Sequence, residues 1–167
     1  MAPIDTGNIA PKVDEPFLDA NGTPHSIEHA LKRGPLVLGI YKSSCQASKT
    51  MFPILERLHQ RYADRGLIVY GVSQDSPNVT QSFARRYGIT FPILVEGEGY
   101  PISRGFDIFA TPTVYLIRPD GVILSSIMGF LRDQVNEFSN LVAAELGAPP
   151  EPVIAENESE IPLFVPG

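Results

Sequence analysis

Cysteine is almost absent from this sequence, because only Cys45 occurs among 167 residues. A single cysteine excludes any disulfide within the chain, so covalent sulfur chemistry would have to involve another molecule. The sequence also lacks long apolar runs, and none approaches the roughly 18 residues that a membrane-spanning helix needs. We therefore expect no membrane span.

Basic residues are fewer than acidic ones, with 13 Lys and Arg against 19 Asp and Glu and a net charge of -6. Nucleic acids and anionic membrane surfaces both attract clustered Lys and Arg, so neither is predicted as a partner. A secretory signal has a basic stretch followed by an apolar one, and the N-terminus lacks this pattern. Its absence predicts a cytoplasmic protein, or an extracytoplasmic one only if a leader has been removed.

The length predicts one domain, since a chain of this size buries about two-thirds of its unfolded surface in a single core. We divide the chain into an N-terminal arm (residues 1–11), the domain (residues 12–146) and a C-terminal tail (residues 147–167). The tail is rich in Pro and Glu and has no periodicity, so we expect it to be extended or disordered. Its apolar end, residues 161–165, can dock on the domain or on a neighbour.

The stretch of residues 36–62 organises the chain. An apolar run at 36–41 predicts a buried strand, and the helical period that follows places Cys45 at the start of a helix. Unpaired backbone N–H groups and the positive end of the helix dipole favour a thiolate there, so we expect a lowered cysteine pKa. A second apolar run at 67–72 predicts a parallel strand, completing a right-handed βαβ unit.

Turn signals and periodicity predict the remaining elements. They are a hairpin at Asn21-Gly22, a short helix capped by Ser26, a helix opened by Ser76-Pro77, a strand at 91–95, a helical segment at 100–106, a hairpin around Pro119-Asp120-Gly121 and a last helix at 131–146. Residues 96–99, Glu-Gly-Glu-Gly, are expected to form a solvated turn. His25 and His29 lie four residues apart without a third ligand nearby, so we predict no metal site, and no cofactor is expected.

This order of elements resembles the thioredoxin fold, an α/β fold with a central mixed sheet flanked by helices. Within that fold the chain is similar to the redoxin branch, which includes TlpA-like and ResA-like thiol-disulfide oxidoreductases and overlaps with the AhpC/TSA peroxiredoxins. The resemblance covers residues 12–146. It includes the N-terminal hairpin extension and an inserted helix and strand at 76–95.

The family motifs carry over residue by residue. The family's Cys-x-x-Cys is Cys45-Gln46-Ala47-Ser48 here, so the attacking sulfur is kept and a serine replaces the resolving sulfur. The resemblance implies that Ser48 donates a hydrogen bond to the Cys45 thiolate and that Ser44, just before the cysteine, contacts substrate. It also implies that Thr111-Pro112 is the family's cis-proline loop, which aligns a substrate chain or glutathione beside the sulfur. ResA-like proteins carry an acidic residue shortly after the motif, where this chain has Met51.

These residues predict an oxidoreductase in which Cys45 attacks a disulfide and an external thiol completes the turnover. The predicted partners are proteins or small thiols and disulfides, glutathione among them. One alternative is a one-cysteine peroxidase that reduces peroxides, although the peroxiredoxin motif Pro-x-x-x-Thr-x-x-Cys would need other residues than Leu38 and Lys42. The other alternative is a thioredoxin-like binding module without catalysis. The sequence leaves the oligomeric state open.

Overall fold

The computed structural model describes residues 6–167, and its centre is a five-stranded mixed sheet. The strands, numbered along the chain, are β1 (Phe17–Leu18), β2 (Pro24–His25), β3 (Leu36–Tyr41), β4 (Ile68–Ser73), β5 (Ile93–Val95), β6 (Thr113–Ile117), β7 (Ile123–Met128), β8 (Phe130–Leu131) and β9 (Phe164–Val165). The helices are α1 (Ile27–Arg33), α2 (Gln46–Tyr62), α3 (Pro77–Tyr87), α4 (Pro101–Gly105) and α5 (Arg132–Glu145), and a 3₁₀ turn spans Ala63–Arg65.

The strand order in the central sheet is β5-β4-β3-β6-β7. β3, β4 and β5 run parallel, while β6 pairs antiparallel with β3 and with β7. In the register, Leu38 lies between Tyr70 of β4 and Tyr115 of β6. The apolar run at 36–41 is therefore the middle strand, and all six of its residues are buried. The predicted βαβ unit and the predicted hairpin of β6 and β7 are both confirmed.

Helices cover both faces of the sheet, which explains why β3 is apolar on both sides. One face packs on α2, α3 and α5, and the other packs on α1 and α4. The predicted helical face of α2 is confirmed, because Met51, Leu55, Leu58 and Tyr62 are all buried. No helix in residues 6–167 is both long and apolar enough to cross a membrane.

Turn residues and helix caps determine where the smaller elements begin and end. β1 and β2 form the hairpin predicted at Asn21-Gly22, with Asp19 N–H donating to the Thr23 carbonyl at 2.9 Å. The Ser26 hydroxyl accepts a hydrogen bond from His29 N–H and caps α1 as predicted. Ser76 caps α3 in the same way, with Pro77 in the first turn.

The expectation of a solvated turn at residues 96–99 is wrong for its first residue. Glu96 is only 6% exposed, and its carboxylate accepts hydrogen bonds from the backbone N–H groups of Ile102 and Ser103, each at 2.9 Å. The Ser103 hydroxyl donates a third, at 2.5 Å. Glu96 thus satisfies the free N–H groups at the start of α4, which a solvated side chain would leave to water.

Both ends of the described chain are attached to the domain. Residues 7–10 pair with the start of β7, through Gly7 N–H to the Ile123 carbonyl and Ala10 N–H to the Gly121 carbonyl, both at 2.8 Å. The tail packs on α2 and α5, burying Val153 and Ile154. Its apolar end docks on the domain, where β9 pairs antiparallel with β8. The boundaries at residues 11/12 and 146/147 stay predictions, and residues 1–5 lie outside the described structure.

Candidate active site

Cys45 lies where the central strand passes into α2. β3 ends at Tyr41, a tight turn closes with Cys45 N–H donating to the Lys42 carbonyl at 3.1 Å, and α2 begins at Gln46. Cys45 is the N-cap residue of α2, with an extended backbone (φ -85°, ψ 124°), and its carbonyl accepts from Lys49 N–H at 3.2 Å. The side chain is partly buried, and the thiol is free. The predicted place of Cys45 at the start of the helix is confirmed.

Asp75 holds the turn before the cysteine. Its carboxylate accepts a hydrogen bond from Ser43 N–H at 2.8 Å. Asp75 itself is fixed because its own N–H donates to the Ser73 hydroxyl at 3.0 Å, and Ser73 shares a buried 2.7 Å hydrogen bond with Thr80. The turn that presents the sulfur is therefore tied to the end of the neighbouring parallel strand.

The pKa of Cys45 is lowered from its ordinary value, although the largest single effect opposes this. Burial of the thiol raises the pKa. The backbone N–H of Ser48, the Ser48 hydroxyl, the backbone N–H of Ala47 and the Thr111 side chain lower it, and together they outweigh burial. The neutral thiol makes no cap hydrogen bond to these N–H groups, so their effect comes from favouring the thiolate.

The loop at Thr111-Pro112 faces the sulfur. The peptide bond between these residues is cis, as the resemblance implied, and Pro112 is buried. The Cys45 thiol donates to the Thr111 carbonyl across 3.1 Å. This contact stabilises the neutral thiol and is lost when the proton leaves, in opposition to the N–H groups of α2. The loop is braced by Gly129 N–H, which donates to the Pro112 carbonyl at 2.9 Å.

The other predicted site residues differ in their placement. Ser48 is fully buried, and its hydroxyl has no hydrogen-bond partner of good geometry within residues 6–167, although it is close enough to Cys45 to lower the thiol pKa. Its free donor is therefore available when the sulfur becomes charged. Ser44 is exposed beside the cysteine. Met51 is 1% exposed and packs in the core one turn further along α2.

Sequence reasoning missed two features of the site. The first is Asp75, for which a signal existed, because the carboxyl ends of adjacent parallel strands meet at one edge of a sheet. The second is the end of the tail, whose Gly167 lies against the Thr111 carbonyl. No local pattern in residues 163–167 indicates that contact.

The described part of the chain, residues 6–167, holds no group of three His, Cys, Asp or Glu side chains that could bind a metal ion. His25 pairs with the Asp19 carboxylate at 2.8 Å and stacks edge-on against Tyr70. His29 is exposed on α1.

Comparison with known proteins agrees with this geometry. The sequence model of the AhpC/TSA family matches residues 6–126. The thiol-disulfide oxidoreductase ResA of Halalkalibacterium halodurans is 30% identical over 110 residues, which cover 65% of this chain and 62% of that protein. The thioredoxin-like protein YneN of Bacillus subtilis is 28% identical over 123 residues, covering 72% of this chain and 69% of that one.

The fold also matches solved structures. The thioredoxin domain of a thiol-disulfide oxidoreductase from Bacteroides vulgatus superposes with a TM-score of 0.68 at 20% identity, over 81% of this chain and 98% of that one. Together with the mixed sheet and its flanking helices, this confirms the predicted thioredoxin fold.

Proposed function

This chain belongs to the AhpC/TSA family, and from that premise we propose that it is a thiol-disulfide oxidoreductase working through one nucleophilic sulfur. The observation that carries the proposal is the environment of Cys45. Its sulfur lies at the start of a 17-residue helix, beside N–H groups that favour the thiolate, and 3.1 Å from the carbonyl of the cis-proline loop. The similarity to ResA, a thiol-disulfide oxidoreductase, supports the same chemistry.

In the first step, the Cys45 thiolate attacks one sulfur of a substrate disulfide. A bond forms between Cys45 Sγ and that sulfur, the substrate S–S bond breaks, and the second substrate sulfur leaves as a thiolate that takes up a proton. As the negative charge leaves Cys45, the N–H groups of Ala47 and Ser48 no longer face an anion. The enzyme is then a mixed disulfide.

In the second step, an external thiol has to release the enzyme. Ser48 occupies the position of the resolving cysteine, and an oxygen there cannot break the mixed disulfide. A thiolate from solution attacks the substrate sulfur, forms a new disulfide with it and regenerates the Cys45 thiolate. The external thiol is oxidised, and the original disulfide has been reduced.

Thr111 is the proposed alignment point for the substrate. Its backbone lies beside the sulfur, where an extended segment could form strand-like hydrogen bonds next to the reacting atoms. The proposed partners are thiols and disulfides, and small ones such as glutathione and those of proteins are the two classes that experiment has to distinguish. Exposed Ser44 is the proposed polar contact on the other side of the sulfur. The cytoplasmic location stays a prediction from the sequence.

The test is capture of the mixed disulfide. Incubation of the protein with oxidised glutathione is expected to add one glutathione per chain, detected by intact-mass spectrometry, and added reduced glutathione should remove it. Cys45→Ser should add none. Ser48→Cys supplies a resolving sulfur, so it should lose the adduct by forming an internal disulfide. A wild-type protein that never forms the adduct would contradict the proposal.

The peroxidase alternative has weaker support. Leu38, at the place of the peroxiredoxin proline, lies fully buried in the middle of β3, and Lys42 replaces the threonine whose hydroxyl positions peroxide. Treatment with hydrogen peroxide followed by a sulfenic-acid reagent distinguishes the two chemistries. Fast labelling of Cys45 at micromolar peroxide, with slow glutathione capture, would favour the peroxidase.

A further inference from the structure

The tail takes a long path around the domain, and its residues 163–167 lie beside the active site. From the end of α5 it crosses α2, where Arg57 forms a two-pronged ion pair with Glu158 at 2.8 Å. Arg132, at the start of α5, then donates its N–H to the Leu163 carbonyl at 2.9 Å, and its guanidinium donates to the carbonyls of Glu158 and Ile161. The last part of the tail is thereby held across the side of the molecule that carries Cys45.

The tail borders the site at two points. Residues 160–162 and Val165 line a cleft together with α2 residues between Gln46, the neighbour of Cys45, and Arg57. Further on, Gly167 packs so closely on the Thr111 carbonyl that a Cβ at this position would lie 2.7 Å from the oxygen. Only a glycine fits there without a shift of the backbone.

Gly129, in the domain, also lets the tail come close, because it has no side chain where Val165 and Gly167 pass. Its φ of +76° is in the left-handed region, and a Cβ there would lie 3.1 Å from Gly167 N and 3.3 Å from the Val165 carbonyl. Val165 itself packs partly buried against the core, whereas Leu163 is 72% exposed. Residues 163–167 are thus seated on the loop that connects β7 and β8, with Val165 as their apolar anchor.

We propose that residues 163–167, the seated end of the tail, restrict Cys45 to small disulfides by occupying the backbone edge beside Thr111 that an extended polypeptide would need. Both the Cys45 thiol and Gly167 lie against the Thr111 carbonyl. An extended substrate pairs through several backbone groups along such an edge, so the seated segment blocks it. A small disulfide such as oxidised glutathione needs only access to the sulfur. This inference rests on the proposed function.

The test compares two substrates in a matched pair of variants. Val165→Asp puts a charge where the tail packs on the core and should unseat its end, whereas Leu163→Asp changes a neighbouring apolar residue that faces solvent. The rate at which free Cys45 thiol disappears is measured with excess oxidised glutathione and with excess insulin as the protein disulfide. A variant that ends at Pro162 repeats the comparison without the segment, and circular dichroism checks that each variant is folded.

Wild type and Leu163→Asp should react with oxidised glutathione and only slowly with insulin. Val165→Asp and the shortened variant should react with insulin at least about tenfold faster, the factor that corresponds to 1.4 kcal/mol, with the glutathione rate changed less than about twofold. Equal acceleration of both substrates, or of neither, would overturn the inference while leaving the proposed function standing. A protein inert toward both substrates in every form would overturn both.

Discussion

The Ser48 hydroxyl offers a direct test of how the site stabilises a thiolate. It is fully buried and lacks a hydrogen-bond partner of good geometry while Cys45 is a thiol, and it lowers the pKa of that thiol. Ser48→Ala removes the donor with little change of volume. A hydrogen bond to a charged group contributes about 1.5–3 kcal/mol, and 1.36 kcal/mol corresponds to one pKa unit. Because Cys45 is partly exposed, we take the lower end, and we expect the pKa of Cys45 to rise and alkylation at a fixed pH below the midpoint to slow by about tenfold.

The same substitution makes an opposite prediction for stability. At a pH where Cys45 is protonated, the buried hydroxyl of Ser48 lacks a partner, and an unsatisfied buried polar group costs about 1–3 kcal/mol. Its removal should therefore leave the free energy of unfolding unchanged or raise it by up to about 1 kcal/mol. If Ser48 served only the packing of α2, its substitution by alanine would not raise the pKa of Cys45 while leaving the free energy of unfolding undiminished.

The assay is the rate of alkylation of Cys45 by iodoacetamide as a function of pH, together with urea unfolding at a pH below the alkylation midpoint. Ser139→Ala is the matched control, because Ser139 is also fully buried in a helix but its hydroxyl donates to the Glu151 carbonyl at 3.2 Å, away from the thiol. The control should leave the alkylation midpoint of Cys45 in place. An unchanged midpoint in Ser48→Ala would refute the hydrogen bond to the thiolate.

Three further predictions concern charge. Glu96→Gln should lower the free energy of unfolding by about 1–3 kcal/mol in urea titrations, because the amide NH2 that replaces one carboxylate oxygen cannot accept from the Ser103 hydroxyl and the uncharged oxygen accepts more weakly from the two N–H groups. The exposed Glu98→Gln should change it by less than about 0.5 kcal/mol. The hydrogen bonds from Arg57 hold the pKa of Glu158 at about 2, so its contribution to tail attachment is present above its ordinary pKa and lost as the pH falls toward 2. The protection factors of the tail amides, which compare the measured exchange rate with the intrinsic rate at the same pH, should fall over that range in the wild type, and Glu158→Gln should already have lower protection factors at neutral pH. Because the pKa of Cys45 is lowered in the folded state, its contribution to stability is full above the ordinary cysteine pKa of about 8.5 and falls as the pH drops through the folded value. The stability difference between wild type and Cys45→Ser should therefore grow with pH up to about 8.5, and a flat difference would contradict the lowered pKa.

Much of the fold followed from patterns that are local in the sequence. The apolar run at 36–41 and the helical period after it predicted β3, α2 and the position of Cys45, and the structure confirms all three. Those signals are reliable because a strand that is buried on both faces is apolar at every position, and because the apolar positions of an amphipathic helix recur every 3.6 residues. Caps and turns were equally local, as Ser26 and Ser76 show.

The cis peptide bond before Pro112 was not predicted from a local sequence pattern. No spacing or periodicity in this chain indicates it, and it was predicted only because the order of elements resembled a known fold. The structure confirms the isomer and adds the 3.1 Å contact between the Thr111 carbonyl and the sulfur. These two residues are 66 positions apart, so their meeting depends on the pairing of β6 with β3.

What the sequence determined by itself is a lone sulfur at the first turn of a helix on a buried strand, because period, caps and turns act over a few residues. Tertiary structure decided what surrounds that sulfur. Three contacts illustrate this. The buried Glu96 accepts from Ile102 N–H, Asp75 accepts from Ser43 N–H, and Gly167 packs against the Thr111 carbonyl. Such contacts arise from strand order and packing, which place side chains together only after the whole domain has closed around its core.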